Sequence, residues 1–290
     1  MMTGVRSSWG YQMRKTITAA LAAASLISLG GCRQTAATGN DASGNASAPA
    51  TAAGIDGTWK ADIDSVQFDQ KPDEYLLSGG QYSCKSCVPS YTVAADGAFH
   101  PVSVPYADSI AVKVVDDKNV VRTAKKGGRV IGETKMGVSA DGDTLTGSFT
   151  DTSVQNAPPG KGEFTETRVG AAPAGAHAVS GQWKPAKLSN FNAESLTINL
   201  KVEGDTFHFS SPSGYSYDAK IGGGDVPIKG DIAGTTAAIA KSGDSYVETD
   251  KRDGKVVGTT TFTAGSDGKL HVAGEDKLSG SKTSWTATKQ

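Results

Sequence analysis

The sequence predicts an all-β protein built as two tandem up-and-down β-barrels of about eight to ten short strands each. Three observations carry that expectation. The chain repeats itself at one constant spacing, its apolar residues recur at period two, and glycine turns punctuate it. The repeat comes first. Gly57-Thr58-Trp59-Lys60 opens one copy and Gly181-Gln182-Trp183-Lys184 opens the other. Ser90-Tyr91 answers to Ser216-Tyr217, Pro101 to Pro227, Lys125–Thr134 to Lys251–Thr260, and Asp141-Gly142 to Asp267-Gly268, all at the same spacing. The copies also end alike, on Phe164-Thr165-Glu166-Thr167-Arg168 and Trp285-Thr286-Ala287-Thr288-Lys289. Each copy is far longer than a solenoid repeat, so each is a domain.

Within a copy, Leu196, Ile198, Leu200 and Val202 alternate with polar residues, and Phe207 and Phe209 do so in the next run. That is the period of a half-buried strand. Arg252-Asp253-Gly254-Lys255 and Ser266-Asp267-Gly268-Lys269 supply the positive φ of tight hairpins, as do Gly127-Gly128 and Asp141-Gly142. The 36 glycines follow no three-residue period, which excludes collagen and fits many turns. No helical periodicity is found after residue 55.

The N-terminus reads as a targeting segment. Arg14 and Lys15 precede an apolar stretch from Ile17 to Leu29, too short to span a bilayer. It ends on Leu29-Gly30-Gly31-Cys32, which resembles the bacterial lipobox. The resemblance implies cleavage before Cys32, lipidation of its thiol and amine, and a membrane anchor. Arg33, rather than aspartate, follows it, which implies sorting to the outer membrane, facing the periplasm. Residues 33–54 are almost wholly small and polar and read as a flexible tether with a span of roughly 25 Å. The expected organisation is therefore a signal peptide at 1–31, the lipidated cysteine and linker at 32–54, domains at 55–169 and 179–290, and a link at 170–178.

The Gly-x-Trp that opens each copy resembles the first-strand signature of lipocalins and related calycin barrels. In that family the Trp plugs the closed end and a basic residue of the last strand lies across it. Arg168 and Lys289 stand at matching places, so the resemblance implies the barrel-base pairs Trp59 with Arg168 and Trp183 with Lys289. The order of Gly-x-Trp-Lys, Tyr, Pro, a charged hairpin and Asp-Gly is similar to lipocalin-like bacterial envelope proteins. The resemblance implies a fold and no reaction.

Cys84-Lys85-Ser86-Cys87 is the one reactive-looking motif. A structural disulfide suits an oxidising compartment. A redox-active pair is the alternative, although thioredoxin-type sites stand at a helix N-terminus. Half of a metal site is a third, without a second ligand pair at suitable spacing. The repeat spacing sets Ser210 and Ser213 against the two cysteines. His100, His177, His208 and His271 are isolated and read as surface residues. Asp62, Asp64 and Asp69 near Glu74 lack the pattern of a calcium loop. Gly222-Gly223-Gly224 lacks the helix and Lys of a phosphate loop. No metal, cofactor or catalytic set is expected.

A formal net charge of −1 gives no case for nucleic acid. The basic cluster Arg122, Lys125, Lys126 and Arg129 reads as a solvated hairpin face. Three functional classes remain: a non-enzymatic binding module with a small apolar or amphipathic ligand in a barrel cavity, an envelope structural or interaction protein with filled barrels, and a thiol-disulfide redox protein using Cys84 and Cys87. Ala237, Ala238 and Ile239 are small enough to leave room inside the second barrel.

Overall fold

A computed structural model describes residues 54–290. The expected signal segment, Cys32 and most of the expected tether lie outside the described residues. The chain forms two ten-stranded antiparallel sheets, each rolled into a nearly closed barrel. In chain order the strands are β1 (Gly57–Asp69), β2 (Asp73–Ser78), β3 (Gln81–Cys84), β4 (Tyr91–Ala94), β5 (Asp96–Val104), β6 (Ala107–Val114), β7 (Asn119–Lys126), β8 (Arg129–Val138), β9 (Thr144–Asp151) and β10 (Gly160–Gly170). There follow β11 (Gly181–Ser189), the short helix α1 (Ala193–Leu196), β12 (Thr197–Glu203), β13 (Thr206–Ser210), β14 (Ser216–Lys220), β15 (Val226–Pro227), β16 (Thr236–Ser242), β17 (Ser245–Arg252), β18 (Lys255–Ala264), β19 (Lys269–Asp276) and β20 (Lys282–Lys289). The turns are those the glycines imply: Gly127 and Gly128 lie at φ 57° and 75°, and Asp253 and Gly254 at 49° and 72°.

The strand order departs from the expected domains. The first barrel runs β4-β3-β2-β11-β10-β9-β8-β7-β6-β5, and the second runs β14-β13-β12-β1-β20-β19-β18-β17-β16-β15. The opening strands are thus exchanged. β1 lies between β12 and β20, and β11 lies between β2 and β10. The first barrel is contiguous from β2 to β11, and the second takes its opening strand from the far end of the chain. The boundaries 55–169 and 179–290 therefore do not enclose the barrels, and residues 170–178 are a connection inside the first barrel, between β10 and β11.

Chain length explains the exchange. β1 runs beside β20 from Lys289 to Lys282, roughly 23 Å at about 3.3 Å per residue. Gln70, Lys71 and Pro72 then lead into Asp73 and reach at most about 15 Å. In the first barrel Asp73 stands beside the opening tryptophan, Trp183. Were Trp59 in that place, the chain would have to return the whole length of β1 to reach Asp73. The link is too short, and Pro72 holds it extended. Leading into the other barrel is the solution that leaves both strands intact.

The exchange also joins the barrels. β1 bulges between Asp62 and Gln67. Ile63, Val66 and Phe68 from this part of β1, with Ile232, Ala233 and Leu278, pack against the first barrel's core. Tyr215 Oη of the second barrel lies 3.3 Å from Ser153 Oγ of the first.

Candidate functional site

The Gly-x-Trp motif has a direct physical role at each barrel base. Trp59 and Trp183 are fully buried, and each indole N–H donates to the carbonyl four residues back: Trp59 to Ile55 at 2.8 Å and Trp183 to Val179 at 2.9 Å. A basic side chain covers each ring, with partners opposite to those the resemblance implied. Arg168 lies over Trp183 at 3.9 Å and Lys289 over Trp59 at 5.5 Å. The correction follows from the exchanged strands. The glycines are needed because Gly57 (φ 144°) and Gly181 (φ 122°) lie directly under those basic side chains, where a Cβ would collide. Arg168 also donates to the carbonyls of Gly142, Ser180 and Ala178 at 2.6–2.8 Å.

Cys84 and Cys87 form a disulfide. Both sulfurs sit in the first barrel's core, with residue exposures of 1% and 6%. Thiol exchange needs an attacking thiolate to reach a sulfur, and the burial works against the redox alternative. The ladder also corrects the alignment of the copies. Cys84 stands between Tyr75 and Tyr91, and Phe209 stands between Leu200 and Tyr217. Phe209, not Ser210, occupies the place of Cys84.

The interior of the first barrel holds polar residues, among them Arg122, which was expected on a solvated hairpin face. On β7, Val120, Arg122 and Ala124 alternate inward. Arg122 is only 4% exposed, so the basic cluster is not one solvated face. The Arg122 guanidinium donates to Tyr91 Oη at 3.2 Å and to Thr134 Oγ1 at 3.4 Å. Burial alone would lower its pKa, but the surrounding Tyr91, Tyr82, Tyr106 and Tyr75 more than offset this and hold it protonated. Of the rest of the cluster, Lys125 lies over the Phe99 ring, Lys126 donates to Pro105 O, and Arg129 donates to the carbonyls of Thr152 and Ser153. At the base, Glu166 is buried against Asp73. Burial first, and the neighbouring carboxylate second, raise the Glu166 pKa well above the ordinary carboxylate range.

Large rings pack against one another inside both barrels. Tyr75 and Tyr82 stack at 6.2 Å in the first, with Tyr91 at 6.4 Å from Tyr82. In the second, Phe207 meets Tyr217, Tyr246 and Phe262 at 5.3–6.3 Å, and Phe209 meets Tyr217 at 5.2 Å. Ala219 stands opposite Phe207 in the ladder, and Ala237 and Ile239 are buried in the same core. A cavity of about 30 Å³ opens beside Arg122, bounded by Tyr106, Thr134, Phe149, Asp151 and Ile232. A groove of about 670 Å³ lies on the outside of the first barrel, across Val121, Lys135, Gly137, Thr146, Ser148 and Glu163.

The remaining candidates are ordinary surface groups. His100, His208 and His271 pair with Asp96, Asp218 and Asp267 at 2.7–3.0 Å, and His177 Nε2 lies 2.6 Å from the Asp116 carbonyl. Asp62 Oδ1 accepts from the Asp64 amide at the β1 bulge, Asp69 ends β1, and Glu74 pairs with Lys85. Gly222-Gly223-Gly224 forms the turn after β14. Among the described residues no three His, Cys, Asp or Glu side chains converge as metal ligands. No protein family, curated protein or solved structure matches the chain.

Proposed function

We propose that this chain is a non-catalytic interaction module of the bacterial cell envelope, anchored through lipidated Cys32, whose two filled barrels work by their outer surfaces. The observation that carries this reading is the packing of aromatic rings across both interiors. Sites for drug-sized molecules occupy roughly 300–1,000 Å³, and the cavity beside Arg122 has about 30 Å³. One groove of ligand size, about 670 Å³, lies outside the barrel on strands β7 to β10. The lipobox resemblance supports the anchor and the outer-membrane placement.

Titration of the membrane-extracted protein with a fluorescent fatty acid, followed by tryptophan emission, tests the reading. Filled barrels predict no saturable binding and no ligand mass in native mass spectrometry. Stoichiometric binding with a tryptophan response would overturn it in favour of a ligand-carrying barrel. Cys32→Ser should release the protein from membranes; a wild-type protein without acyl mass would remove the anchor.

A further inference from the structure

The Arg122 guanidinium lies inside the first barrel. It is buried at 4% exposure, and its hydrogen bonds go to two neutral oxygens, Tyr91 Oη and Thr134 Oγ1. The groups that act on its charge are the Tyr91, Tyr82, Tyr106 and Tyr75 side chains. A guanidinium carries five N–H donors, and burying a charge is costly. The cavity of about 30 Å³ adjoins this group. One water needs about 10–15 Å³ of such space, so a single small ion fits and an organic ligand does not.

We propose that the first barrel binds one small monovalent anion, of halide to nitrate size, against Arg122. Arg122 supplies the charge, and Thr134 and Tyr106 line the same cavity. Phe149, Ile131 and Ala124 supply apolar walls, and Ile232 of the second barrel closes it. Burial in these walls strengthens the attraction relative to water. Two carboxylates also border the cavity. Asp151 accepts the Ser153 amide at 2.7 Å, and Glu133 alternates outward on β8 with Thr134 inward. They set the limit on ion size and charge: a divalent oxyanion would meet Asp151.

The second barrel is the internal control. Its β17–β18 ladder pairs Glu248 with Thr260, just as Arg122 pairs with Thr134. Glu248 accepts a hydrogen bond from Tyr217 Oη at 2.5 Å. A buried carboxylate at that place repels anions, so the stoichiometry is one ion per chain.

The test uses the whole protein. Crystals grown in sodium bromide, with data collected at the bromine absorption edge, should show one anomalous peak beside Arg122 and none beside Glu248. Thermal melts in bromide, against gluconate at equal ionic strength, should show a rise in Tm that saturates with bromide and disappears in Arg122→Gln. If Arg122→Gln does not fold, the wild-type diffraction decides. A featureless cavity at saturating bromide, or equal melting in the two salts, would overturn the proposal and leave water in the cavity. A lipid bound in the barrel would contradict the filled-barrel reading without producing a bromide peak, so the two failures are distinguishable.

Discussion

The two barrels share one backbone plan but differ where their interiors are charged. At one ladder position the first barrel buries Arg122 and the second Glu248. The neighbouring tyrosine is kept, and its hydrogen bond reverses: Tyr91 accepts from the guanidinium, whereas Tyr217 donates to the carboxylate. A hydroxyl both donates and accepts, so the same tyrosine satisfies either charge. At the base, the first barrel sets Glu166 against Asp73, and the second has Ala287 and Ile198 in those places. The second barrel closes its base with Lys289 where the first uses Arg168. The shape is therefore held by strand register and ring packing, and the interior polar groups vary on top of it.

The exchange of opening strands gives the largest expected effect. A fragment of residues 70–192 contains every strand of the first barrel and should fold alone, with a cooperative urea transition and a near-ultraviolet circular dichroism signal. A fragment of residues 55–169 carries β1 on its short link, lacks β11, and should not. Folding of the second fragment would show that β1 can close its own copy.

The two bases should differ next. Arg168 combines three carbonyl hydrogen bonds with its ring contact, whereas Lys289 stands farther from its ring. Arg168→Ala should cost about 2 kcal/mol, because hydrogen bonds to charged groups contribute about 1.5–3 kcal/mol. Lys289→Ala should cost about 0.5 kcal/mol, the scale of an exposed cation–π contact. Equal losses in chemical denaturation would mean that the hydrogen bonds add nothing to the ring contact.

The Glu166–Asp73 pair gives the base of the first barrel a pH dependence, where the second has Ala287 and Ile198. Glu166 has its folded-state pKa raised, chiefly by burial. Between its unfolded and folded values only the folded state holds the proton, so its stability contribution is present at low pH and declines as pH rises through that window. The slope is about 1.4 kcal/mol per pH unit. Glu166→Gln should flatten the decline in urea melts of residues 70–192 measured upward from pH 4.5. An unchanged slope would place the titrating group elsewhere.

The smallest effect concerns the disulfide. It closes a very short loop, and the entropy it removes from the unfolded chain is on the order of 2 kcal/mol. Phe209 fills the place of Cys84 in the second barrel, so the backbone does not require sulfur there. Cys84→Ala with Cys87→Ala should lower the midpoint of unfolding modestly and leave the first barrel folded. Loss of the cooperative transition would make the bond essential.

Much of this architecture was legible in the sequence. Period-two alternation from Leu196 to Val202 and the Asp-Gly turns marked strands and hairpins, and the repeat marked two barrels. The exchange was not legible, because Gly57-Thr58-Trp59 and Gly181-Gln182-Trp183 fit either site equally. Its cause is the reach of Gln70, Lys71 and Pro72, which acquires meaning only once Asp73 is known to stand beside a tryptophan. Arg122 reads as a surface charge beside Lys125, Lys126 and Arg129, yet it is buried. Its spacing from Val120 and Ala124 already put it on the buried face, and the same parity puts Glu166 inward two residues from Phe164. The constant spacing pairs Ser210 with Cys84, but one extra residue between Phe209 and Tyr217 puts Phe209 there instead.

Paired cysteines test the exchange most directly. Thr58 stands opposite Asn199, with their side chains hydrogen-bonded at 2.7 Å. Were β1 to close its own copy, Thr58 would take the place of Gln182 opposite Glu74. The exchange predicts an efficient cross-link in Thr58→Cys with Asn199→Cys under mild oxidation, and none in Thr58→Cys with Glu74→Cys. Cross-linking of the second pair and not the first would contradict it.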